Sequence, residues 1–143
     1  MTSLNRSALV NFSAKQMYDL VNDIENYPHF MQGCQAARII SQSEDELTGE
    51  LTLGKGGFRH SFTTRNKLTS GRQIEMQLVE GMFSQFKACW KFEILTEQAC
   101  KVSLQMEFEF DSGVMNFALE ILFNSSSNNL VDAVVKRAQF IYG

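Results

Sequence analysis

The chain has 143 residues and a formal net charge of −3, with twelve Phe, seven Met, one Pro and three Cys. That length suits one domain with a real core, and the acidic balance excludes a chain that binds nucleic acid through its overall charge. No apolar run approaches the ~20 residues needed to cross a bilayer, the start lacks the basic-then-apolar layout of a signal peptide, and Cys34, Cys89 and Cys100 show no CxxC spacing, which argues against a disulfide framework or a zinc site. The expectation is a soluble cytoplasmic protein with reduced thiols and no transmembrane segment.

In chain order, Ser3 to Phe12 alternates apolar and polar and reads as a first strand, with Ala8, Val10 and Phe12 on one face. Ser13 is placed to cap a helix over Ala14 to Ile24, whose apolar side is Met17, Leu20, Val21 and Ile24. Pro28 disfavours helical geometry at Tyr27 and can open a new turn, so a one-turn helix is predicted across His29 to Met31, ending at Gly33. Six strands then follow: Ala36–Gln42, Glu46–Leu53, Phe58–Leu68, Gln73–Glu80, Phe86–Leu95 and Lys101–Asp111. The last alternates Val102, Leu104, Met106, Phe108 and Phe110 with polar residues, the pattern of a strand with one wet face. The short polar links predict antiparallel hairpins.

The remaining stretch, Val114 to Tyr142, contains neither Pro nor Gly. Phe123, Ser127, Leu130, Val131, Val134, Ala138 and Ile141 recur at helical spacing, opposite Asp132, Lys136 and Gln139. Val114, Phe117, Ala118, Ile121 and Leu122 form a second stripe pointing elsewhere, and the change falls in the Asn/Ser run Asn124–Asn129. Asn and Ser are mediocre helix formers. The spacing therefore predicts a short helix or a bent first turn or two, leading into a long amphipathic helix. An α+β plan results: a curved antiparallel sheet of about seven strands around a long C-terminal helix, with two short helices after strand one. Curvature can hold the two layers apart and leave a cavity.

Little in the residues supports an enzyme. The two histidines are His29, in the loop after Pro28, and His60, which shares an inward strand face with Phe58 and Phe62. His60 and Tyr27 are the inward candidates for any acid–base chemistry of the cyclase type, with a satisfied core or rim residue as the bland alternative. Gly54-Lys55-Gly56-Gly57 lacks P-loop spacing and reads as a hairpin turn. Two features stand out. One is a predicted lining of Phe62, Met76, Trp90, Phe92, Met106 and Phe108 facing Leu130, Val131 and Val134, with Tyr27 and Phe30 nearby. It is core if it fills the space and a hydrophobic pocket if the sheet curves away. Met82 and Phe83, in the loop after Gly81, are placed as a lid over it, as a membrane or partner contact, or as ordinary packing. The other is an acid-free stretch from Leu51 to Ile74 carrying Lys55, Arg59, Arg65, Lys67 and Arg72. Period two puts Arg59, Arg65 and Lys67 on one outward face, either a solvated sheet face or an anion-binding patch of the kind ribosomal RNA or phospholipid requires.

The segment Met17-Tyr18-Asp19-Leu20-Val21-Asn22-Asp23-Ile24-Glu25-Asn26-Tyr27-Pro28-His29-Phe30, followed by Gly33-Cys34, resembles the signature of START-like proteins of the polyketide cyclase/dehydrase group. Phe62-Thr63-Thr64-Arg65-Asn66, Trp90-Lys91-Phe92, Leu130-Val131-Asp132-Ala133 and Arg137-Ala138 extend the match. More narrowly, the chain resembles the branch shared by bacterial ribosome-association toxins of the RatA type and the coenzyme Q-binding proteins. The resemblance implies a helix-grip (START-like) domain over 1–143 with a lipid-sized cavity. It implies either of two non-enzymatic roles. One is binding the large ribosomal subunit and hindering its association with the small one, as the toxin of a toxin–antitoxin pair with an antitoxin protein as partner. The other is carrying ubiquinone in support of respiration. No required cofactor is expected; ubiquinone or another lipid is the implied occupant of the cavity, with peripheral membrane contact and no DNA. Gln32 stands where relatives usually carry Pro, which should loosen the turn there, and Gly33 stands where many quinone-binding relatives carry Trp. The second difference favours the toxin-like branch.

Overall fold

The computed structural model describes residues 1–112 and 117–143. Seven strands, β1 (Thr2–Val10), β2 (Cys34–Gln42), β3 (Glu46–Lys55), β4 (Phe58–Thr69), β5 (Gln73–Glu80), β6 (Phe83–Thr96) and β7 (Ala99–Phe110), form one sheet in the order β1-β7-β6-β5-β4-β3-β2. Every neighbouring pair is antiparallel. Strands β2 to β7 are a meander of hairpins, and β1 closes on the far edge against β7. Register shifts in β2, between Thr63 and Thr64 of β4, and near Phe83 of β6 bend and twist the sheet, as bulges do.

Helix α1 (Ala14–Asn22) starts where the sequence places it, because Ser13 and Gln16 cap each other: the Gln16 N–H donates to Ser13 Oγ at 3.0 Å and the Ser13 N–H to Gln16 Oε1 at 2.9 Å. It ends at Asp23, short of the predicted Ile24. The turn predicted over His29–Met31 starts earlier, as a 3-10 helix over Ile24–His29 with Pro28 inside it. It closes with the N–H groups of Phe30 and Met31 both donating to Tyr27 O, at 3.1 and 2.8 Å. Pro28 has no N–H to lose from that turn and its fixed φ suits it.

The C-terminal element differs from its prediction. Helix α2 (Phe117–Tyr142) runs unbroken through the Asn/Ser stretch. Its buried face is Leu119, Leu122, Phe123, Ser126, Ser127, Leu130, Val131, Val134 and Ala138, one continuous stripe at three- and four-residue steps. The separate stripe built on Phe117 and Ile121 faces solvent instead, at 75% and 69% exposure, and Ile141 is also exposed; Val114 lies outside the described residues. Ser126 and Ser127 are each only 1% exposed. Their small side chains let the helix close on the loop after the 3-10 helix, where Ser125 Oγ donates to Gln32 Oε1 at 3.2 Å and Ser126 Oγ donates to Gln32 O. Gln32 therefore pins the turn it was expected to loosen. Gly33 completes the contact: its φ is +77°, and a Cβ there would lie 2.7 Å from the Leu122 side chain.

Candidate functional site

The inner face of the sheet carries nearly all of the predicted lining. Phe62, Trp90, Phe92, Met106 and Phe108 are buried, as are Leu130, Val131 and Val134 on α2, while Met76 is half-buried. They pack on one another rather than around an open space. Phe123 of α2 lies with its ring centroid 4.8 Å from Phe108, 4.9 Å from Phe83 and 6.1 Å from Phe62, mostly edge-to-face. Trp90 stacks on Phe92 at 6.3 Å, and Tyr18 of α1 meets Phe92 edge-on at 5.7 Å. Met82 and Phe83 belong to this core, both 4% exposed. Gly81 folds them in, since its backbone rests on Phe62, where an added Cβ would come within 2.4 Å of the Phe62 Cβ. The reading of Met82 and Phe83 as a partner or membrane contact is thus corrected to core packing.

Where α1 and the 3-10 helix cover strands β3 to β6, a niche of about 20 Å³ remains, lined by Tyr27, Thr64, Asn66, Met76 and Trp90 among others. Thr64 and Asn66 bring polar side chains into this mostly apolar lining. Thr64 Oγ1 donates to Asn66 Oδ1 at 2.8 Å, and both residues are buried. Period two carries Thr64 and Asn66 inward from Phe62, so the signal was present in the strand parity. The niche has room for about a water. That is far below the ~300 Å³ or more of pockets that hold drug-sized ligands.

The two inward acid–base candidates lie in different settings. The Tyr27 hydroxyl donates to Val21 O at 2.5 Å, and burial pushes its phenol far above the ordinary range, so it stays protonated as a structural donor. His60 is half-buried, with the Phe58 ring 6.5 Å from its own. Burial likewise pushes the Cys34 thiol up to about 11, which keeps it unreactive at neutral pH.

The basic stretch lies where parity placed it. Lys55, Arg59, Arg65, Lys67 and Arg72 are all exposed. The sheet register changes its meaning, however. Lys67 pairs across the ladder with Glu46 on β3 and Glu75 on β5, and Thr63 pairs with Glu50 and Glu80. Arg65 Nε lies 3.7 Å from Glu46 Oε1. Arg59 and Lys67 are eight residues apart on the strand, about 26 Å, while Lys55 ends β3 and Arg72 sits in the β4–β5 turn. These side chains do not converge on one anion-sized point, and carboxylates from both neighbouring strands dilute their field.

Two grooves open on the surface. One, of about 610 Å³, crosses the solvent face of β1, β7, β6 and β5 between polar residues, with Lys87 paired to Glu107 at 3.3 Å. The other, of about 450 Å³, runs between the 3-10 helix with its following loop and the outer flank of α2. It is lined by Phe30, Met31, Gln32, Ser126, Asn129, Leu130, Asp132, Ala133, Lys136, Arg137 and Phe140. Phe30, assigned to the internal cavity by sequence, lines this groove instead, packed edge-on against Tyr27 at 5.3 Å. The Arg137 guanidinium sits between the rings of Phe140 and Phe30, 5.1 and 5.9 Å from their centroids. Its Nε is buried without a hydrogen-bond partner among the described residues.

Comparison with known proteins agrees with this architecture. The family model described as polyketide cyclase/dehydrase and lipid transport matches residues 10–135. The chain belongs to that family. The Vibrio cholerae ribosome association toxin RatA is 43% identical over 143 residues, covering 100% of this chain and 99% of its own. The Escherichia coli K12 protein of the same name is 39% identical, covering 99% and 90%, so the chain belongs to the RatA branch. A mitochondrial coenzyme Q-binding protein COQ10 homolog B of Xenopus laevis is more distant, at 24% identity over 97% of this chain and 59% of its own. Among solved structures, the Zhui aromatase/cyclase from Streptomyces sp. R1128 superimposes with a TM-score of 0.82 over 96% of this chain and 93% of that one, at 16% identity. That likeness establishes the helix-grip fold and nothing about chemistry. Among the described residues, no helix is long and apolar enough to cross a membrane.

Proposed function

We propose that this protein is a non-enzymatic binding protein of the RatA type, which binds the large ribosomal subunit and hinders its joining to the small one. The full-length 43% identity to a ribosome association toxin carries this reading. The interior supports it: the space that would hold a substrate or lipid is packed with Phe62, Phe83, Phe108 and Phe123, and the Tyr27 hydroxyl is committed to Val21 O. As the toxin of a toxin–antitoxin pair, it would have a second protein partner that masks its ribosome-binding surface. The alternative, a ubiquinone carrier, has the more distant coenzyme Q-binding relative in its favour and requires the aromatic cluster to open.

The test is gradient sedimentation of purified large and small subunits with an excess of the protein. The expected outcome is co-migration with the large subunit and a smaller joined-ribosome peak. Protein left at the top of the gradient, with an unchanged joined peak, would overturn the proposal.

A further inference from the structure

We infer that the groove between the 3-10 helix and α2 is a seat for an unpaired nucleotide of RNA, with the base on Phe140 and its phosphate on Arg137 and Lys136; this rests on the ribosome-binding reading. Four observations lead to it. Phe140 is 78% exposed, a large ring with one face on Arg137 and the rest in solvent. The Arg137 guanidinium is held between Phe140 and Phe30 by cation–π contact, and among the described residues no carboxylate pairs with it or with Lys136 within 4 Å. The Gln32 and Asn129 amides line the same groove, beside the single carboxylate Asp132. The volume, about 450 Å³, is in the range of pockets that hold small organic groups.

Each part matches one part of a nucleotide. An exposed aromatic ring stacks on a base, the amides offer donors and acceptors to a base edge, and the two cations meet a phosphate. A lipid chain would cover Asn129, Asp132 and Lys136 with apolar surface, which the groove's composition disfavours. The seat suits splayed-out bases of RNA loops rather than a duplex, because a paired base presents no free face. It also explains how an acidic chain can bind RNA: two cations facing one groove need no positive net charge.

Phe140→Ala and Arg137→Gln decide the matter, with thermal melting as a fold control for each. Binding is read by co-sedimentation with purified large subunits and by titration with a short, labelled, unstructured RNA oligomer. Loss of one stacked base should weaken binding by about fivefold to a hundredfold for Phe140→Ala. Arg137→Gln should weaken it and lower the salt dependence by about one phosphate contact. Subunit binding by the wild type that survives both substitutions in folded protein would overturn the groove as RNA seat while leaving ribosome binding intact. If the wild type fails to sediment with subunits, the ribosome reading fails, and the oligomer judges the groove alone. Oligomer binding lost in Phe140→Ala would uphold the seat; no oligomer binding by the wild type would overturn it.

Discussion

The two sides of helix α2 differ more than their sequences suggest. The inner side meets the sheet through Leu119, Phe123, Leu130, Val131, Val134 and Ala138, and the apolar residues expected to border a cavity fill it. The outer flank, with Asn129, Asp132, Ala133, Lys136, Arg137 and Phe140, borders the groove, and among the described residues no carboxylate lies within 4 Å of its two cations. Abundant Phe and Met thus mark packing here, and the groove beside α2 lies where the chain shows no concentration of any residue type. The lesson concerns separation between layers. Periodicity tells which face a side chain takes. It is silent on whether the opposing layer stands one side chain away or two.

Substitutions can break this comparison, and the largest effect belongs to the inner side. Phe83→Ala removes a ring that touches Phe62, Phe86, Phe108, Phe110 and Phe123. A cost of about 3–5 kcal/mol is expected in denaturant unfolding. A lid residue over an open pocket would lose less than ~1 kcal/mol, so a small value would restore the pocket reading. Val134→Phe probes the same space from the helix. Val134 is fully buried, so the added ring has nowhere to go and should destabilise by about 1–3 kcal/mol. Unchanged stability, with the extra ring accepted, would mean that the layers stand apart far enough for a ligand.

Much of the fold was legible because the strands obey period two. The Gln73–Glu80 strand has its predicted bounds, and Val102 to Phe110 keeps its inward parity throughout. The first turns of helix α2 depart from the predicted face for a specific reason. Phe117 and Ile121 outweigh Ser126 and Ser127 on any apolar scale, yet the serines are buried, and Gln32, more than ninety residues earlier, comes against Ser126 while Gly33 comes against Leu122. Such a contact leaves no trace in local periodicity. The groove was illegible for the same reason, since Phe30 and Arg137 meet only when the 3-10 helix docks on α2.

The basic strand shows the same limit in charge. Counted along the chain, Leu51 to Ile74 is free of acid. Counted across the sheet, Lys67 has Glu46 and Glu75 beside it, and Arg65 reaches Glu46 at 3.7 Å. Both partners of that last pair are more than half exposed, so the smallest predicted effect falls here. A double-mutant cycle of Arg65→Ala and Glu46→Ala should return a coupling of about 0.2–1 kcal/mol, reduced further in molar salt, where screening acts over about 3 Å. A coupling that persists undiminished in salt would indicate a tighter, more desolvated pair than the strand geometry provides. A coupling of zero would leave Arg65 free to meet an outside anion, returning part of the strand to consideration as a binding face. Small, salt-sensitive coupling is the outcome that keeps Arg65 and Glu46 a balanced, solvated pair on the strand.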